Sequence, residues 1–133
     1  MGACCNTGEI PAIEFDDIKS IKDMKTYIVK KKRLYNDEIR QIKEHLNDPS
    51  KDVEYIDIEG VEPDMLVKRL GYLYDMINTY EKCSSILKED KFMNIEELKA
   101  KFSLLEEKYA NLYDPNDELG AAYKEFENYL KNN

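Results

Sequence analysis

Asn94-Ile95-Glu96-Glu97-Leu98-Lys99-Ala100-Lys101-Phe102-Ser103-Leu104-Leu105-Glu106-Glu107-Lys108-Tyr109-Ala110-Asn111-Leu112 decides the fold class of this chain. Asn94 with Glu97 three residues on fits an N-cap and its capping-box partner. Ile95, Leu98, Phe102, Leu105, Tyr109 and Leu112 then alternate spacings of three and four, which lines one face of an α-helix. Asp114-Pro115 follows at once and predicts another helix start, with proline at the first helical position. The stripe of that fourth helix is Leu119, Ala122, Phe126 and Leu130, flanked by Tyr123 and Tyr129. So short a link predicts two antiparallel helices.

Working back toward the N-terminus, Leu66, Leu70, Leu73, Ile77, Tyr80 and Leu87 predict a second helix that starts at Pro63 or Asp64. Gly71 lies inside it, at a cost of about 1 kcal/mol relative to alanine; a glycine there suits close approach of another helix. Val53 to Pro63 has no helical period and reads as an extended connector, or else a lone strand. Before it, Ile18, Ile21, Met24, Ile28, Tyr35, Ile39, Ile42 and Leu46 keep one stripe over about thirty residues. This long first helix is expected to begin near Asp16 or Asp17, whose carboxylates suit a helix N-terminus. It ends at Asn47-Asp48-Pro49-Ser50. Residues 1–15, with Gly2, Gly8 and Pro11, read as a flexible arm ahead of a single helical domain over 16–133. The expectation is an all-α, four-helix bundle-like fold with Ile28, Tyr35, Ile39, Leu70, Leu73, Ile77, Leu98, Phe102, Leu105 and Phe126 in its core.

Composition agrees. The 133 residues include only 4 prolines and 5 glycines, 42% are hydrophobic and 36% charged. That length buries enough surface to fold without disulfides or metals. There is no tryptophan, but ten tyrosines suggest a core of rings whose hydroxyls reach its rim. The net charge of -8 argues against general nucleic-acid binding. Charge is also polarised: seven bases stand against one acid between Ile18 and Arg33, a segment of +6 against -14 elsewhere. No apolar run approaches the roughly 20 residues that span a bilayer. The N-terminus lacks the apolar core of a secretory signal, so a reducing cytosol is expected. Three cysteines, two of them adjacent, fit that compartment.

Catalytic patterns are hard to find. His45 is the only histidine and reads as a rim residue at a helix end. Cys83 reads as a small buried side chain. Three cysteines and one histidine do not have structural zinc spacing. Glu96-Glu97 and Glu106-Glu107 lack the Glu-x-x-His partners of a di-iron bundle and read as solvated faces. Asp114-x-Asn116-x-Glu118 opens like a calcium loop, but Gly120 falls one place late and no glutamate occupies position twelve. No glycine-rich phosphate loop is present. No enzyme activity, cofactor, metal or small-molecule substrate is therefore expected.

Met1-Gly2-Ala3-Cys4-Cys5-Asn6 carries the functional signal. It resembles the start of N-myristoylated and palmitoylated proteins. The resemblance implies myristate on the Gly2 amine, freed by methionine removal, and palmitate on the Cys4 and Cys5 thiols. Asn6 stands where serine or threonine is preferred. One myristate holds a protein only marginally, so a second signal is needed, and both the cysteine pair and the basic segment qualify. Lys19, Lys22, Lys30, Lys31, Lys32 and Arg33 are candidates for a patch that meets anionic lipids, with Lys19, Lys22, Lys30 and Arg33 placed opposite Ile21, Ile28 and Tyr35. The expected role is a peripheral adaptor on the cytoplasmic face of a membrane that binds a protein partner. The alternative is a helical component of a cytoskeletal, ciliary or microtubule-associated assembly.

Overall fold

The structure is a computed structural model that describes residues 10–88, 94–110 and 117–132. Helix accounts for 77% of these residues, and there is no strand among them. A 3-10 turn at Phe15–Asp17 precedes four helices: α1 (Ile21–Asn47), α2 (Pro63–Lys88), α3 (Ile95–Ala110) and α4 (Glu118–Lys131).

The helix starts show local physics at work. Asn94 caps α3 as its sequence predicts, its side-chain oxygen accepting from the Glu97 N–H at 3.1 Å. The start of α1 differs from expectation. Asp16 and Asp17 lie in the 3-10 turn, and Ser20 is the N-cap. Its hydroxyl accepts from the Asp23 N–H at 3.2 Å while the Asp23 carboxylate accepts from the Lys19 N–H at 2.9 Å. Ser20 thus satisfies one orphan amide of the first turn, and Asp23 the Lys19 amide just ahead of the cap. The expected start of the fourth helix at Asp114-Pro115 lies outside the described residues; α4 runs from Glu118, with Asp117 before it in the left-handed region at φ 51°.

Ion pairs fix the order of the bundle. Lys32–Glu81 and Glu38–Arg69 run in opposite senses along α1 and α2, so these helices are antiparallel. Lys101–Glu125 and Lys108–Glu118 do the same for α3 and α4. The two hairpins then pack with α1 beside α3, through Tyr27–Glu106 and Tyr109–Glu38. They also place α2 beside α4, through Lys82–Glu127 and the Tyr123 hydroxyl on the Tyr72 carbonyl. The starts of α1 and α3 and the ends of α2 and α4 therefore share one end of the molecule.

The interior contains Ile28, Tyr35, Ile39, Leu73, Leu98, Phe102, Leu105 and Phe126 as expected, whereas Leu70 and Ile77 are only partly buried. The inward stripe of α2 is turned slightly from the expected one: Leu66, Arg69, Leu73, Met76, Tyr80, Cys83 and Leu87. Rings run through the core from Tyr35 to Tyr80, Phe102 and Phe126, at centroid spacings of 5.7, 4.5 and 5.0 Å. Not every tyrosine hydroxyl reaches the rim. Those of Tyr35 and Tyr80 are buried near one another without a well-formed hydrogen bond.

The connector between α1 and α2 forms turns rather than a strand. Val53 is buried, the Gln41 carboxamide oxygen accepts from the Glu54 N–H at 2.7 Å, and the Tyr55 hydroxyl donates to Asp37 at 2.6 Å. Gly60 takes φ 78°, a conformation in which a side chain would be strained.

Candidate functional site

The root of the N-terminal arm is the part of the structure that bears on the acyl signal. Ile13 and Phe15, which the sequence places in the flexible arm, pack against the core, and Ile18 is fully buried. Phe15 meets the Tyr27 ring edge-on at 5.4 Å. The Lys30 ammonium donates to the Ile13 carbonyl at 2.6 Å and faces Glu14 at 3.9 Å. From α3, the Lys99 ammonium donates to the Ile18 carbonyl at 3.3 Å and stands 5.2 Å from the centre of the Phe15 ring. Two lysines on two helices thus hold the chain at residues 13–18, alongside the first three turns of α1 and the start of α3.

Gly2, Cys4 and Cys5 lie outside the described residues. The six bases of the candidate patch fall into two groups. Lys19, Lys22 and Arg33 are exposed. Lys30, Lys31 and Lys32 are partly buried and paired within the molecule: Lys30 with the arm, Lys31 with Glu106 at 3.1 Å, Lys32 with Glu81 at 3.6 Å. Lys31 also stands 5.0 Å from the centre of the Tyr35 ring. Lys19 precedes α1 instead of lying on its face, so the structure does not bring all six onto one open surface.

Glu106 is not simply a solvated carboxylate, since it takes the Lys31 ammonium and the Tyr27 hydroxyl, the latter at 2.5 Å. Burial and that carboxylate push the Tyr27 hydroxyl well above the usual phenol range. Deeper in the bundle, the Arg69 guanidinium pairs with Glu38, and Glu38 also accepts from the Tyr109 hydroxyl at 2.8 Å. The guanidinium carbon lies 4.2 Å from the centre of the Tyr109 ring, and Nη1 reaches the Tyr109 carbonyl at 3.5 Å. A cleft of about 340 Å³ adjoins this group, lined by Lys31, Tyr55, Glu106 and Ile56 among others. Sequence reading missed this network. Its signal was present, because Glu38 and Arg69 each fall at a three-four spacing within an apolar stripe, at Tyr35-Glu38-Ile39-Ile42 and Leu66-Arg69-Leu73.

Among the described residues, His45 and Cys83 are engaged elsewhere. Nδ1 of His45 lies 2.5 Å from the Lys51 carbonyl, where it serves as a donor that steadies the connector. Cys83 is fully buried, and burial pushes its thiol up to about 12, away from the reactive thiolate. Among the described residues no group of three or more His, Cys, Asp or Glu is placed to hold a metal ion. No helix among them is long and apolar enough to cross a membrane. No protein-family model, curated protein or solved structure matches this chain.

Proposed function

We propose that this chain is a non-enzymatic peripheral membrane adaptor, anchored by acyl chains at Gly2, Cys4 and Cys5 and presenting its helical bundle to a protein partner. The conjunction of Gly2 with the Cys4-Cys5 pair carries the reading, because a stable anchor takes more than one chain and this terminus offers three acceptors. The seated root at Ile13–Ile18 supports it. An anchored terminus held there would keep one end of the bundle toward the lipid and leave the rest of its acidic surface to a partner.

Lys19 and Lys22 border that root and are exposed. Each base near an anionic surface contributes about 1 kcal/mol. Lys30, Lys31 and Lys32 have carboxylates of their own within the molecule, so their share in lipid binding is smaller than a bare sequence count implies.

The test is fractionation of variants from the native cell. Gly2→Ala removes the amine position that myristate needs and should leave the protein soluble. Cys4→Ser with Cys5→Ser should leave weak, reversible attachment. Retention of Gly2→Ala on the membrane would sink the reading. Cosedimentation of the wild type with filaments, with none on membranes, would favour a cytoskeletal or ciliary component instead.

A further inference from the structure

Gly71 sits in the middle of α2, on its outward face, with nothing within 4 Å of the place a Cβ would occupy. The fold therefore does not need a glycine there, although glycine weakens a helix interior. The close approach that its sequence position suggests is not made by any other helix among the described residues. The residues around it are unusual as well. Val67 and Tyr74, one turn to either side, are 57% and 49% exposed, among the most exposed large apolar side chains described. Lys68 and Asp75, also one turn to either side, are exposed and have no ion-pair partner among the described residues. The Lys68 ammonium stands 5.6 Å from the centre of the Tyr72 ring. Burial and the neighbouring Glu127 push the Asp75 carboxyl above the usual carboxylate range.

We infer that the α2 face centred on Gly71 binds a second copy of this chain, as an antiparallel, two-fold helix pair that crosses at Gly71. The argument is self-complementarity. At about 100° per residue, Val67, Lys68, Tyr74 and Asp75 all lie within about 60° of Gly71. Val67 and Tyr74 fall on one flank, Lys68 and Asp75 on the other. A two-fold axis through the crossing keeps each flank on its own side and reverses the chain direction. Position 68, three before the glycine, then meets position 75, four after it, and 67 meets 74. Lys68 thus faces the carboxylate of its counterpart twice over, and Val67 packs on a tyrosine ring twice over. The two glycines lie at the crossing, where the missing side chains let the backbones approach. A parallel pair, whose two-fold axis runs along the helices, would instead set the charged flank of each copy against the apolar flank of the other. One helix pair covers less than the roughly 1,200–2,000 Å² of a stable complex, so the dimer is weak and reversible. It does not depend on acylation. If the chain is held on a membrane, the surface raises its effective concentration and favours the pair.

The test is sedimentation equilibrium on the unacylated 133-residue chain under reducing conditions, from micromolar to millimolar concentration. The wild type should rise from monomer toward dimer mass. Gly71→Ala should lower the association constant at least tenfold while raising the melting temperature, opposite signs that separate the interface from folding. Lys68→Asp and Asp75→Lys should each abolish self-association, because each sets like charges opposite one another. Mixed together they should form a heterodimer near wild-type strength, since every pair across the axis is then opposite in sign. A wild type that stays monomeric throughout would overturn the proposal. So would a Gly71→Ala variant that associates as the wild type does, or a mixture that fails to associate.

Discussion

Arg69 of α2 meets Glu38 of α1 inside the bundle, where both side chains are less than a tenth exposed. Tyr109 of α3 completes the contact with its hydroxyl on Glu38 and its ring against the guanidinium. Three helices are thereby tied at one level. A buried ion pair is poor evidence of net stability, because its desolvation offsets its attraction, but one partner left alone is costly. Glu38→Ala should thus lose about 3–5 kcal/mol. Glu38→Leu with Arg69→Met should recover most of that loss. Urea denaturation of both variants checks this, and a double variant no better than the single one would show that the loss is not that of an unpaired buried charge.

The ring ladder should dominate the apolar core. Phe102 touches both Tyr80 and Phe126 and is fully buried. Phe102→Ala should cost about 3–5 kcal/mol, the range for deletion of a buried ring. An unchanged denaturation midpoint would show that this stripe is not the core.

Alkaline pH should unfold the protein. Burial, first of all, pushes the hydroxyls of Tyr27, Tyr35, Tyr80, Tyr109 and Tyr123 well above the ordinary phenol value of 10.0. Above that pH the unfolded chain releases protons that the folded chain keeps, so the unfolded state binds fewer and stability falls as pH rises. The contribution is fully present below pH 10 and is lost above it. Phenolate absorbance should accordingly appear in two phases, the second coincident with loss of helix by circular dichroism. Smooth titration of all tyrosines while helix persists would contradict these burials.

Cys83 should resist thiol reagents in the folded state, since it is fully buried and its thiol is pushed up to about 12. In a Cys4→Ser, Cys5→Ser background, labelling should track unfolding. Rapid labelling under native conditions would mean that α2 opens locally at that position.

Periodicity made the four helices legible because each buries one face, and the Asn94 cap was legible because its partner lies three residues away. Two kinds of feature were not. The α1 start depends on a choice between nearby acids, and only geometry shows that Ser20 accepts from the Asp23 N–H and Asp23 from the Lys19 N–H, while Asp16 and Asp17 lie in the 3-10 turn. The α2 stripe was displaced because Leu70 and Ile77 are apolar and Arg69 is not, although Arg69 finds a buried counterion 31 residues away. For the candidate site, Gly2, Cys4 and Cys5 come from local chemistry alone. The role of Lys99 at the arm's root had no local signal, since its partners Phe15 and Ile18 lie more than 80 residues earlier in the chain.

The proposed acyl anchor is a chemical matter: fatty acids hold this protein on a membrane by its N-terminus. It is tested most directly by the mass of the N-terminal peptide purified from the native cell without thioester cleavage. The expected peptide begins at Gly2, carries a myristoyl amide, and bears palmitoyl thioesters removable by hydroxylamine on Cys4, Cys5 or both. A peptide with a free or acetylated amine and unmodified thiols, recovered from native cells, would contradict it.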